Sequence, residues 1–150
     1  MLTIAIGADH RGFLYKTLIK NEVKHPSKTI EWIDVGCFSE ERTDYPLFAF
    51  EVVRAMQSKR AEYGILICGT AVGMAIAANR FDHMFAAVVW SIETATRAKE
   101  EDNANILSLP ADYIAPVDAT MIVTAWLNAQ FLDDRYQARI DMINNLGACR

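Results

Sequence analysis

Cys68 closes an apolar run, Tyr63 to Cys68 (YGILIC), and opens a small-residue loop, Gly69-Thr70-Ala71-Val72-Gly73, that leads onto a helix. Loop amides and a helix dipole favour an anion. The same features lower a thiol pKa, which would make Cys68 a thiolate base or nucleophile. The competing reading is a buried structural cysteine, the commoner fate of a free thiol. The loop also has two readings: a cradle for phosphate or a developing oxyanion, or a plain strand-to-helix turn. It is no Walker loop, because no Lys-Ser/Thr follows, and no dinucleotide fingerprint, because the second glycine is missing. A C-x5-R phosphatase would need Arg where Met74 stands.

Two further groups could do chemistry. Asp9 and His10 form an acid/imidazole pair behind the first apolar run, although Asp9 could equally serve only as a helix cap. Arg135 and Arg139 lie four apart and share a helix face. They suit a phosphate or carboxylate, or else a solvated face paired with Asp133, Asp134 or Asp141. Cys37 and Cys149 lack the setting of Cys68 and read as structural or incidental. Trp126 and Tyr113 fit core or interface positions.

These residues need strands to end where they stand. Apolar runs predict strands at Ile4–Ala8, Ile30–Val35, Tyr63–Cys68, Phe85–Trp90 and Ile106–Leu109. Helical spacing follows at Gly12–Asn21, from Pro46 through Met56, at Met74–Asn79, at Ser91–Asp102, and at Val117–Gln130 and Arg135–Leu146. Strands without polar alternation are covered on both faces, so the prediction is a three-layer α/β/α Rossmann-like sandwich with a five-stranded parallel sheet. Ligands in such sheets bind at the carboxyl ends of strands. The last helix is surplus to the sheet, and such helices often pack on a partner subunit.

Composition sets the outer bounds. The chain has 150 residues, a net charge of −4 and 52% hydrophobic residues. This fits one domain over 1–150. With 15 basic and 19 acidic residues there is no basic surplus for nucleic acid. No apolar run spans a bilayer, and the start, MLTIAIGADH, does not read as a signal peptide. Three distant cysteines and three scattered histidines suggest neither disulfides nor a metal site. A cytoplasmic protein without metal or cofactor is expected.

The motifs GADHRG near the start, ERTDYP at 41–46, GILICGTAVGMAIAANR at 64–80, NAN at 103–105 and RYQAR at 135–139 together resemble the ribose-5-phosphate isomerase B family, which includes galactose-6-phosphate isomerase subunits. The resemblance runs over almost the whole chain. It implies a homodimer that can pair into a tetramer, with two subunits building each active site. It also implies a metal-free aldose–ketose isomerisation of a sugar phosphate through a cis-enediolate. By matching position, Cys68 would move the proton between C1 and C2. Thr70 and the amides of Gly69, Ala71, Val72 and Gly73 would hold the enediolate oxygens. Asp9 would bind sugar hydroxyls, Tyr45 would flank the sugar, and Asn103 would reach in from the second subunit. His10, Arg135 and Arg139 would hold the phosphate.

The sequence departs from the family pattern near these positions. Glu101 stands where the family usually has the ring-opening His, Asp102 where it has Asn, and Tyr136 where a His lies between the late arginines. Asp112 replaces a phosphate-binding Arg, and Ala71 replaces a loop Gly. Glu101 could still be a general acid/base if its pKa is raised. Asp112 would set negative charge beside a phosphate. Ala71 is restricted if the position needs positive φ. The alternatives are therefore an isomerase for a different sugar or sugar phosphate, or a non-catalytic sugar-binding subunit. The presence of Cys68 and Thr70 argues against the latter.

Overall fold

The computed structural model describes residues 1–146, so Cys149 lies outside the described residues. Twelve segments alternate: β1 (Leu2–Ala8), a 3-10 turn (His10–Gly12), α1 (Phe13–Glu22), β2 (Ile30–Gly36), α2 (Tyr45–Gln57), β3 (Tyr63–Cys68), α3 (Val72–Ala78), β4 (Ala86–Val88), α4 (Ile92–Glu100), β5 (Ile106–Pro110), α5 (Pro116–Asn128) and α6 (Arg135–Leu146). The strands form one parallel sheet in the order β2-β1-β3-β5-β4. The α/β architecture is the one expected from the apolar runs.

This order places the helices. A right-handed crossover sends the helix to one face or the other according to the direction of travel along the sheet. The chain steps one way from β1 to β2 and from β4 to β5, and the other way from β2 to β3 and from β3 to β4. Accordingly α1, α4 and α5 form one layer, where Ile19, Ala95, Ile122 and Trp126 pack with Ile4, Ile6, Ile65, Ile67 and Leu107. The opposite layer is α2 and α3, where Val52, Val53, Met74 and Ala78 pack with Ala5, Leu66, Cys68 and Ile106. Alternation along β3 therefore aims Ile65 and Ile67 at one layer, Leu66 and Cys68 at the other. Full burial of each aliphatic side chain contributes about 1.5–3 kcal/mol.

Neighbouring strands β1 and β3 are followed by helices on opposite faces, and so are β3 and β5. Their carboxyl ends therefore splay apart and leave a crevice, as expected at a topological switch point.

Several boundaries differ from the sequence reading. The 3-10 turn precedes α1, because Asp9 caps it by accepting from the amides of Arg11 and Gly12. β4 is shorter than Phe85–Trp90, since the Phe85 amide donates to the Asn105 side chain and the Trp90 amide to the Thr94 hydroxyl. α3 begins at Val72, two residues earlier than expected, and α5 ends at Asn128, where Ala129 turns extended. α6 follows the completed sheet and buries Ile140 only.

Candidate active site

The cleft at the ends of β1, β3 and β5 has a volume of about 380 Å³ and is lined by Asp9, Arg11, Tyr45, Cys68, Gly69, Thr70, Val72, Gly73, Ile76 and Asp112. That volume lies in the range of small-molecule sites. A separate hollow of about 370 Å³ near the start of β2 is lined by Lys20, Lys24, His25 and Lys28 among others, and none of the expected site residues faces it.

Cys68 lies at the floor of the cleft and is buried. Burial pushes its thiol pKa up, and the charge of Asp9 adds to this, while hydrogen bonds from the Ala71, Met74 and Thr70 amides pull it down without cancelling the rise. The lowered thiol pKa expected from the loop and helix is thus corrected: desolvation outweighs the amides. The Thr70, Ala71 and Met74 amides do face the sulfur.

Ala71 adopts φ +67°, a left-handed conformation that costs a non-glycine residue about 1–2 kcal/mol. Its carbonyl is held from behind by the buried Ser108 hydroxyl at 2.7 Å. The Thr70 side chain is exposed at the lip, and its hydroxyl accepts weakly from the Val72 amide at 3.4 Å. Tyr45 lies against Gly73 so closely that a Cβ there would meet the ring at 2.4 Å. Gly73 is therefore fixed by close approach. So is Gly12, where a Cβ would stand 2.7 Å from Ile67.

Asp9 is a helix cap that also stands in the cleft lining. It caps the turn through bonds of 2.9 Å from the Arg11 amide and 3.3 Å from the Gly12 amide, and it also lines the cleft. Its burial pushes the carboxyl pKa above the ordinary value, against those amides and the nearby positive charges. His10 follows Asp9 in the chain and is not among the residues that line the cleft. Its amide donates to the Thr43 hydroxyl at 3.2 Å, and its Nδ1 accepts from the Thr43 amide at 3.3 Å, which leaves the ring proton on Nε2.

The remaining expected residues gather elsewhere. Glu101 and Asn103 stand beyond α4 at the amino end of the sheet, the pole opposite Cys68. Asn103 accepts from Lys99 at 2.9 Å, and Glu101 pairs with Arg97 at 3.6 Å. The chain returns to this pole after α5, where the Leu132 amide donates to the Glu100 carbonyl, and Arg135 feels the charge of Glu101. Arg135 and Arg139 bracket the Tyr136 ring at 5.0 and 5.5 Å. Neither forms an ion pair among the described residues. One chain thus presents two half-sets: Asp9, Tyr45, Cys68 and the loop at one pole; Glu101, Asn103, Arg135 and Arg139 near the other.

Sequence reasoning missed the pair that closes the rim of the cleft. Arg11 Nε and Nη2 both donate to Oδ1 of Asp112, at 2.9 and 2.7 Å. The partners are 101 residues apart, and only the adjacency of the β1 and β5 loops across β3 reveals them. Among the described residues no group of three His, Cys, Asp or Glu side chains could hold a metal ion, and no helix is long and apolar enough to cross a membrane.

A buried cysteine at the strand ends of a Rossmann-like sheet, with a carboxyl and a tyrosine lining the same cleft, is the setting in which the relatives place the class: an aldose–ketose isomerase. Comparison with known proteins gives the family. The Ribose/Galactose Isomerase family model matches residues 4–143, and the chain belongs to that family. It is 40% identical over 144 residues to ribose-5-phosphate isomerase B of Escherichia coli K12, covering 95% of each chain. It is also 34% identical to a D-erythrulose-4-phosphate isomerase of Pectobacterium atrosepticum, covering 87% of this chain and 86% of that one. Among solved structures, ribose 5-phosphate isomerase from Thermotoga maritima matches with TM-score 0.89 and 41% identity, over 96% of this chain and 98% of that one. The Mycoplasma genitalium ribose-5-phosphate isomerase B, solved with bound ribulose-5-phosphate, matches with TM-score 0.89 and 36% identity, over 98% of this chain and 97% of that one. Sugar-phosphate isomerase activity follows from these relatives.

Proposed function

We propose that this chain interconverts ribose 5-phosphate and ribulose 5-phosphate through a cis-enediolate, with Cys68 as the base. The observation that carries the reading is the placement of Cys68 on the floor of the strand-end cleft, with loop amides converging on it. The Cys68 thiolate takes the proton from C2. The electron pair becomes the C1–C2 double bond, and the charge moves to O1, where Thr70 and the loop amides receive it. The proton returns to C1 as C2 becomes the carbonyl, and the proton leaving O2 goes to O1. Asp9 binds sugar hydroxyls, and Tyr45 flanks the chain of the sugar. His10 presents Nε2–H to the phosphate end.

Two subunits complete each site in this reading. Its support is the separation of the half-sets: Glu101, Asn103, Arg135 and Arg139 stand at the pole away from their own Cys68. A homodimer lets the second subunit bring Glu101 to the ring oxygen, Asn103 to the sugar, and the arginines to the phosphate. The exposed apolar side chains Leu47, Val72 and Ile76 beside the cleft, and Met142 and Ile143 on α6, are consistent with burial against such a partner.

The test is a panel of ribose 5-phosphate, allose 6-phosphate, galactose 6-phosphate, tetrose phosphates and free sugars, with Cys68→Ala as control. Turnover of ribose 5-phosphate is expected, falling by at least about a hundredfold in Cys68→Ala. Undiminished activity in that variant removes Cys68 as base. Preferred turnover of a tetrose phosphate would favour the second reading, a different sugar phosphate. Asp112 in the cleft and the D-erythrulose-4-phosphate isomerase relative both support that second reading.

A further inference from the structure

Of the residues lining the cleft, Arg11 is the only cation, facing the carboxyls of Asp9 and Asp112. Its backbone is fixed, because its amide donates to Asp9. Asp112 is fixed too: the amides of Ala111 and Asp112 donate to the carbonyls of Cys68 and Gly69 at 2.9 and 3.0 Å, continuing the β3–β5 pairing past the strands. The two side chains meet directly over Gly69, where a Cβ would stand 2.7 Å from Asp112 Oδ2 and 3.1 Å from Arg11 Nε. The ion pair therefore spans the ends of three strands, beside the peptide that follows Cys68.

The geometry of the pair leaves a specific donor set. A guanidinium has five N–H groups in a planar fork. One edge, Nε and Nη2, is spent on a single oxygen of Asp112. The other edge, Nη1 with the second N–H of Nη2, has no acceptor among the described residues. That edge matches two oxygens of a phosphate. Asp112 alone would repel a phosphate dianion; clamped to Arg11 it becomes a holder that orients the cation. The side chains are 54% and 33% exposed, so the pair is open to solvent and to an incoming ligand.

We propose that Arg11, held by one edge on Asp112, is the residue of this cleft that anchors the substrate's phosphate with its other edge. This deepens the sugar-phosphate isomerase reading and rests on it. The matching prediction concerns charge placement: the site needs one cation here, and its position of attachment is exchangeable between residues 11 and 112.

Inorganic phosphate is the probe, titrated calorimetrically into the unliganded protein, so that no turnover is required. Arg11→Met is expected to weaken phosphate binding by at least about tenfold, with a parallel rise in KM for a phosphosugar. Arg11→Lys, which keeps the charge and loses the fork, should fall between. The double variant Arg11→Met with Asp112→Arg should recover most of the affinity. Thermal unfolding of each variant separates loss of the anchor from loss of the fold. The proposal is overturned if wild type binds no phosphate, if Arg11→Met stays within about twofold of it, or if the double variant, folded, recovers nothing. Failure of the isomerase reading looks different: phosphate still binds through Arg11, and no sugar phosphate turns over.

Discussion

Cys68 shows how neighbouring residues decide the chemistry of one atom. The apolar run before it was enough to place it at a strand end, and the small residues after it were enough to predict amides around the sulfur. The balance between those amides and burial was not legible, because it depends on α2 and α3 closing over the thiol and on Asp9 arriving from β1. That balance has a measurable sign. A thiol held above its ordinary value of 9.0 is protonated in most molecules at neutral pH. The thiolate fraction, and with it kcat/KM, should rise with pH through the neutral range and level off only above that ordinary value. Alkylation of the free protein by iodoacetamide should follow the same curve at Cys68. A plateau in both curves below pH about 8 would mean that the amides win after all. Ala71 is the opposite case. Its left-handed φ follows from the loop it occupies, and the Ser108 hydroxyl that holds its carbonyl comes from β5, a strand the local sequence says nothing about.

Among the elements, β2 and α1 carry a device that no spacing rule predicts. Lys16 is 1% exposed in the middle of an otherwise unremarkable helix. Its ammonium donates to Asp34 Oδ1 at 2.6 Å and to the Cys37 carbonyl, and it lies 4.8 Å from the centre of the Phe38 ring. Lys20 takes the other oxygen of Asp34, also at 2.6 Å. This ties α1 to the exit of β2, and so to the loop whose Thr43 meets His10. Burial pushes the Asp34 carboxyl up, but the two lysines and the Gly36 amide outweigh it and hold the pKa below the ordinary 3.8. Its contribution to stability is therefore complete above that value and is lost as the pH falls through the lower folded one. Asp34→Asn should cost about 3–5 kcal/mol at neutral pH, read by urea unfolding, because it strands a buried ammonium. Adding Lys16→Met should restore part of the loss by removing that charge. An Asp34→Asn protein as stable as wild type would show that Cys37 and solvent satisfy Lys16 alone. The strands themselves were easier to read, since runs such as YGILIC are buried on both faces. β4 was overestimated because its flanking amides bond to side chains of Asn105 and Thr94 rather than to a neighbouring strand.

At the scale of the molecule, the two half-sets lie near opposite poles, a separation that the sequence order conceals. Asp9 and Cys68 are far apart in the chain and adjacent in the fold; Cys68 and Asn103 are closer in the chain and lie at opposite ends of the sheet. If each active site takes its cleft from one subunit and Asn103 from another, then two differently broken proteins can repair one another. A Cys68→Ala dimer has two sites with a dead base, and an Asn103→Ala dimer has two sites with a weakened sugar contact. In a mixed dimer of the twofold kind both lesions fall in one site, and the other site is wild type in both halves. Equal amounts of the two variants, unfolded together and refolded, give mixed dimers as half of the population. Recovered activity should then approach about a quarter of the wild-type value, while each variant refolded alone stays near its own low level. Subunit exchange can be checked with a charge-tagged copy on a native gel. Mixed dimers that form and yet recover no activity would place Asn103 and Cys68 in separate functions, and the cleft would then have to bind its substrate with the residues of one chain.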